Sequence, residues 1–175
     1  RYHDATGRVQ TLDSTIVVSA ADLHHTETEL LPTRLQTYPE SWWKKRVAGP
    51  GAVLVMLGVR GGLPELAHHS LFFSADWRRN FADIFESPTA IPDPASIYVC
   101  KPSAADPSVA PAGNENLFVL IAVPADVTLG GAGDPLVERA ADAAIRLIAE
   151  KAGIPDLENR IAVRGTYGPA DFERN

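Results

Sequence analysis

The sequence predicts an α+β fold, a mainly antiparallel sheet with helices on one face. Two observations carry that reading. Short apolar and β-branched runs recur along the chain, separated by long connections rich in Gly and Pro. One long amphipathic helix stands near the end. Strands in such a ratio to helices are covered by laying the helices against one sheet face.

The first strand is expected at 15–18 (TIVV), which is short and β-branched. A short helix follows over 20–31, with Asp22 placed to cap it. Residues 39–46 (PESWWKKR) read as a second short helix with Pro39 near its first turn. Gly49, Pro50 and Gly51 break it. The strongest strand is 52–59 (AVLVMLGV), apolar at nearly every position, so both of its faces are expected to be covered. Further strands are expected at 68–74 (HHSLFFS), 96–100 (SIYVC) and 117–123 (LFVLIAV). A helix over Trp77–Phe85 with Asp76 as cap, then a loop over 87–94 holding three prolines, separate the first two of these. Residues 101–116 form a long irregular connection, of a kind that often carries function.

The long helix spans Pro135–Ala152. Asp134 is placed to cap it and Pro135 suits its first position. Val137, Ala140, Ala141, Ala144, Leu147, Ile148 and Ala152 recur at steps of three and four and form one apolar stripe. Asp142 and Arg146, on the polar side, are a favourable four-residue pair worth ~0.3 kcal/mol. Gly153 ends the helix and Pro155 prevents its continuation. A last short strand is expected at 161–164.

The chain has 175 residues, a net charge of −6 and 45% hydrophobic residues, enough for one domain with a real core. Its acidity speaks against nucleic acid, which requires a basic patch. No window approaches the ~18 apolar residues of a membrane span. Cys100 is the only cysteine, so no internal disulfide forms and a reducing, cytoplasmic compartment is expected. Residues 1–12 are polar and do not read as a signal peptide.

No dinucleotide fingerprint, P-loop, zinc-protease helix, nucleophile elbow or paired-cysteine motif occurs. The run Gly130, Gly131, Ala132, Gly133 has the wrong spacing for a pyrophosphate loop and reads as a turn before a helix. His24–His25 and His68–His69 are adjacent pairs, and adjacent side chains diverge, so no metal site is expected. Joining them with Asp22 or Glu27 would require the fold to bring them together. Cys100 reads as a small core residue. Trp42 and Trp43 beside Lys44, Lys45 and Arg46 read either as an interfacial anchor or as one indole packed inward and one half-exposed.

Several stretches resemble bacterial phytoene desaturases of the flavin-dependent amine-oxidase-like superfamily. They are VVSAADLHHTE from Val17, YPESWWKKR from Tyr38, LGVRGGLPELAHHSLFF from Leu57, NFADIFE from Asn80, the stretch from Pro94 to Pro124, and AVRGTYGPADF from Ala162. They occur in the family's order and cover most of the chain. The family usually reads S-N-A-D where this chain has Ser19, Ala20, Ala21 and Asp22, which removes an amide at the domain junction.

The resemblance implies the substrate domain of an FAD-dependent amine-oxidase-like fold. It implies that 1–31 belong to the flavin domain, 38–164 to the substrate-binding domain, and 165–175 to a return toward the flavin domain. The chain then reads as a middle excerpt, inactive and without FAD by itself, whose partners include the missing flavin-binding segments. The implied reaction takes hydride from an acyclic polyene to FAD and a proton to a base or solvent. The implied ligand is therefore a long apolar polyene, and peripheral membrane contact and self-association are expected with it. Asp106, His68 and His69 are the candidates for a proton acceptor. A carboxylate in an apolar tunnel would have its pKa raised into a useful range. The competing readings are a hydrophobic-ligand-binding module without catalysis and a structural domain of another flavoenzyme.

Overall fold

A computed structural model describes residues 1–86 and 89–174. The chain divides into two compact units, Arg1–Val47 and Ala48–Asn175.

The first unit opens with a two-stranded antiparallel ribbon, β1 (Tyr2–His3) and β2 (Val9–Gln10). The side chains of Thr6 and Gln10 and the amides of Arg8 and Thr6 all donate to Asp4, which holds its pKa at about 2. Asp22 caps α1 (Leu23–His25) as expected, accepting from the His25 amide, and the chain runs on as a wider π-helical turn over Thr26–Leu30. α2 is a single turn, Glu40–Trp43, shorter than the expected 39–46. The strand expected at 15–18 does not form: Ile16, Val17 and Val18 are 77%, 84% and 86% exposed. β-branched residues make a strand only where a neighbouring strand and a surface to cover are at hand.

The second unit is built on a five-stranded, wholly antiparallel sheet. It comprises β3 (Gly51–Arg60), β4 (His69–Phe72), β5 (Ile97–Cys100), β6 (Asn114–Val123) and β7 (Ile161–Tyr167), in the order β4-β5-β6-β3-β7. β3 and β6 pair along ten residues, from Gly51 opposite Val123 to Arg60 opposite Asn114. α3 (Trp77–Phe85) has the expected limits, and Asp76 caps it by accepting from the Arg79 amide. Of the predicted loop 87–94, Ser87 and Pro88 lie outside the described residues. β6 begins at Asn114, three residues before the expected Leu117, because Asn114, Glu115 and Asn116 pair with Arg60, Val59 and Gly58 of β3. β7 runs three residues past the expected Arg164 by pairing with Leu54, Val55 and Met56 of β3.

α4 (Pro135–Ala152) has the predicted limits and covers one face of the sheet. Val137, Ala141, Ala144, Ile145 and Ile148 are buried against Val53, Val55, Leu57, Leu117, Val119 and Ile121, which all point to that face by the two-residue period of strands. Two details of α4 differ from expectation. Asp134 reaches back to the Gly131 amide at 2.7 Å instead of capping forward. Asp142 pairs with Arg164 of β7 at 2.5 Å rather than with Arg146, because β7 lies close beneath the helix.

Arg164 also meets Glu138 at 2.6 Å, and Thr166 donates to Glu138 at 2.5 Å. A second frame forms at the start of α4. Asp171 of α6 (Pro169–Arg174), which follows the one-turn α5 (Leu157–Arg160) and β7, accepts from the amides of Ala132 and Gly168 at 2.7 and 2.9 Å. Only glycine fits at 168, since a Cβ there would lie 2.6 Å from the Gly130 carbonyl oxygen and 2.8 Å from Val137.

Two outcomes follow from this packing. Ile148→Ala empties a fully buried position and should cost about 2–5 kcal/mol in urea unfolding. Leu136→Ala, exposed on the same helix, should cost less than about 1 kcal/mol. In the fold, hydrogen bonding by Thr166 lowers the pKa of Glu138, and hydrogen bonding by the Gly168 amide lowers that of Asp171. Both carboxylates therefore stabilise the fold fully above about pH 4, the unfolded value, and lose that contribution as pH falls through their lowered values. Glu138→Gln should flatten the acid limb of a plot of thermal midpoint against pH.

Candidate functional site

The face of the sheet opposite α4 is not covered by helices in the way the core face is. Met56 is 39% exposed, Leu71 62% and Val163 67%. The apolar strand β3 was expected to be covered on both faces; α4 covers one. Its unbroken apolar run hides the alternation that would have distinguished them.

Register arranges the open face in rows across the strands. One row runs Leu71, Tyr98, Leu120, Leu54, Tyr167. The next runs His69, Cys100, Phe118, Met56, Gly165. Three depressions border this face: two meet at Ala122, and the third lies at the other end. Ala52, Leu120 and Ala122 with Phe172 of α6 line a groove of about 610 Å³. Ala122 also borders one of about 400 Å³ walled by Phe73, Trp77, Phe81 and Phe85. At the far end Met56, Phe118, Val163 and Val109 line a third of about 540 Å³. Their linings are overwhelmingly apolar. Along the exposed side of α3, Trp77 meets Phe81 edge to face at 6.1 Å and Phe81 stacks on Phe85 at 5.8 Å between centroids.

A polar cluster closes one end of the second row. His68 and His69 stack at 4.0 Å, and His69 lies opposite Cys100 in the β4–β5 ladder. One ring nitrogen of each histidine and the Cys100 sulfur all lie within 4.8 Å of one another. The Tyr98 hydroxyl lies 2.7 Å from His69 Nδ1, and the Cys100 side chain is the main cause that pushes the Tyr98 phenol up. Backbone bonds hold the segment in place: the Lys101 amide donates to the His68 carbonyl, and the buried Lys101 ammonium donates to the Leu63 carbonyl. Cys100 is thus half-exposed on the open face rather than in the core, because the strand places Ile97 and Val99 inward. Tyr98 was not among the expected site residues; only the register reveals it.

Asp106 is placed differently. It caps the 3-10 turn Pro107–Val109, accepting from the Ser108 hydroxyl at 2.6 Å and its amide at 2.9 Å, and these bonds lower its pKa. That is the opposite direction from the rise anticipated in an apolar tunnel. The other histidine pair is committed locally: His24 Nε2 lies 2.8 Å from Glu40, Asp22 caps α1, and buried Glu27 accepts from the amides of Thr37 and Tyr38. Trp42 and Trp43 pack with Tyr38, the Trp43 indole donating to the Tyr38 carbonyl.

The Gly130–Gly133 loop does not suit a pyrophosphate. Its Gly131, Ala132 and Gly133 amides already donate to Asp134, Asp171 and Glu138, so the positions an anion would need are held by carboxylates. The described residues therefore offer no fit for the phosphates of a flavin dinucleotide at this loop.

Fold and face together define an α+β domain with an apolar sheet platform. The chain belongs to the carotenoid desaturase family. It is 37% identical over 156 residues to the carotenoid 3,4-desaturase of Haloarcula japonica, covering 89% of this chain and 30% of that protein. It is 35% identical over 115 residues to a zeta-carotene-forming phytoene desaturase of Myxococcus xanthus, covering 66% of this chain and 22% of the relative. It is also 35% identical over 121 residues to a 4,4'-diaponeurosporene oxygenase of Staphylococcus haemolyticus, covering 67% and 23%. The chain thus spans under a third of the length of these curated relatives. No family model matches it.

Adding FAD to this chain should leave the flavin absorbance spectrum unperturbed. A perturbed spectrum with tight, stoichiometric binding would mean that these residues do form a flavin site.

Proposed function

We propose that this chain is the substrate-binding part of a carotenoid desaturase that dehydrogenates an acyclic polyene, and that the open sheet face is where the polyene lies. The observation that carries the reading is the largely apolar open face across five strands, bordered by three apolar grooves. A long hydrocarbon has almost no polar handle, so it is positioned by shape and apolar contact along its length. Relatives named as desaturases of carotenoids and phytoene support the substrate class.

In the whole enzyme FAD would accept hydride from the polyene, held by parts of the longer family chain other than these residues. What the residues here contribute is binding, orientation and exclusion of water. Leu54, Leu120 and Met56 lie on the open face by register, while Phe172 on one side and Phe73, Trp77 and Phe81 on the other wall the neighbouring grooves. Of the proton-acceptor candidates, His69 faces the open side of the sheet and His68 stacks on it, whereas Asp106 serves its own turn. We therefore place the proton with the histidine pair or with solvent.

The proposal extends to a cytoplasmic enzyme that touches the membrane peripherally. No helix among the described residues is long and apolar enough to cross a membrane. The exposed aromatic side of α3, flanked by Arg78 and Arg79, suits an interface better than the packed Trp42 and Trp43 do.

Met56→Asp and Leu120→Asp each put a charge on the platform without touching the core face. In the full-length enzyme either should cut polyene turnover at least about 100-fold while the fold is retained. Unchanged turnover in both would overturn the placement of the substrate. Asp106→Asn should leave turnover within about twofold.

A further inference from the structure

We propose that His68, His69 and Cys100 form a binding site for a divalent transition-metal cation of the zinc class, at the rim of the open sheet face. The site is independent of where the polyene lies; with an ion bound the imidazole lone pairs are occupied, and the polyene's proton then goes to solvent.

Three donors converge here. One imidazole nitrogen from each histidine and the Cys100 sulfur lie within 4.8 Å of one another. Around a tetrahedral zinc ion, with bonds of about 2.0–2.3 Å, neighbouring ligand atoms sit roughly 3.5 Å apart. The donors therefore need to close by at most roughly 1.3 Å, which side-chain rotation supplies. Two imidazoles and a thiolate are a donor set matched to zinc-class ions, and harder ions such as calcium or magnesium would prefer oxygen. Three protein ligands leave a fourth position for water.

The positions are built by the fold. His69 and Cys100 are cross-strand neighbours on the same face, so the β4–β5 ladder fixes their separation. The Lys101 amide holds the His68 carbonyl at 2.8 Å, which brings the second imidazole over the first. Tyr98 bonds His69 Nδ1 and fixes that ring's orientation, the role an outer partner plays around many metal-bound histidines. The neighbouring cation is kept away, since the Lys101 ammonium is tied to the Leu63 carbonyl. The cluster sets two imidazoles and a thiol side by side at the end of the row that leads to Phe118 and Met56.

Because Cys100 is the only cysteine, cobalt reads the site without ambiguity. Co²⁺ added to the reduced chain should give a thiolate-to-cobalt charge-transfer band in the near ultraviolet and tetrahedral bands in the visible. Both should saturate at one ion per chain, independently of protein concentration, and Zn²⁺ should displace them. Cys100→Ser should abolish the charge-transfer band. His68→Ala and His69→Ala should each weaken cobalt binding by more than about 100-fold, beyond what loss of an outer partner costs. Circular dichroism checks that each variant keeps the sheet. No charge-transfer band at saturating cobalt would overturn the proposal, as would affinity unchanged in the folded double histidine variant. A stoichiometry of one ion per two chains would also overturn it, by showing cysteines bridged between molecules.

Discussion

The ten-residue ladder between β3 and β6 is the constraint on which the rest of the structure depends. It puts Val53, Val55, Leu57 and Val59 in register with Ile121, Val119, Leu117 and Glu115. Once that register is set, every alternate residue of the sheet is committed to the α4 side, where burial is nearly complete. A slip by one residue would turn the whole buried set outward. The same register commits Leu54, Met56, Leu120 and Phe118 to the other side. The apolar platform is therefore not a separate device but the second face of the ladder that builds the core.

The two faces differ in what closes them. On the α4 side, apolar packing is framed by charge: Arg164 reaches both Glu138 and Asp142, and Asp171 gathers the amides of Ala132 and Gly168. These contacts lock the helix onto the sheet and use up the amides of the glycine-rich turn. On the platform side, the borders are aromatic rings from α3 and α6, with a His–His–Cys–Tyr cluster at one end. Charge-framed packing is concentrated on one side of the sheet and accessible apolar surface on the other, the division that the proposed polyene platform needs.

Much of the second unit was legible in the sequence. The limits of α3 and α4 were readable because a capping aspartate before α3, and a first-turn proline and terminal glycine in α4, are local signals. The strands were readable as apolar runs, though not their ends: Asn114 and Tyr167 join the sheet through partners distant in sequence. Residues 15–18 show the converse, where local β preference met no surface to cover. The site was less legible. His68 and His69 stood out as a pair, but their meeting with Cys100 and Tyr98 depends on the β4–β5 register, which no local pattern specifies. Asp106 stood out by its place in a long connection, and its Pro-Ser context turned out to be a capped turn.

The most direct test of the polyene platform uses the single cysteine as a reporter. A small fluorophore on Cys100 lies on the open face, in the row that leads to Phe118 and Met56. On a Cys100→Ser, Lys151→Cys variant the same fluorophore sits on exposed α4, on the far side of the sheet. Titration with an acyclic carotenoid should quench the Cys100 label strongly and saturably, and the Lys151→Cys label weakly. Equal quenching at both positions, or none at Cys100, would contradict the assignment of the polyene to this face.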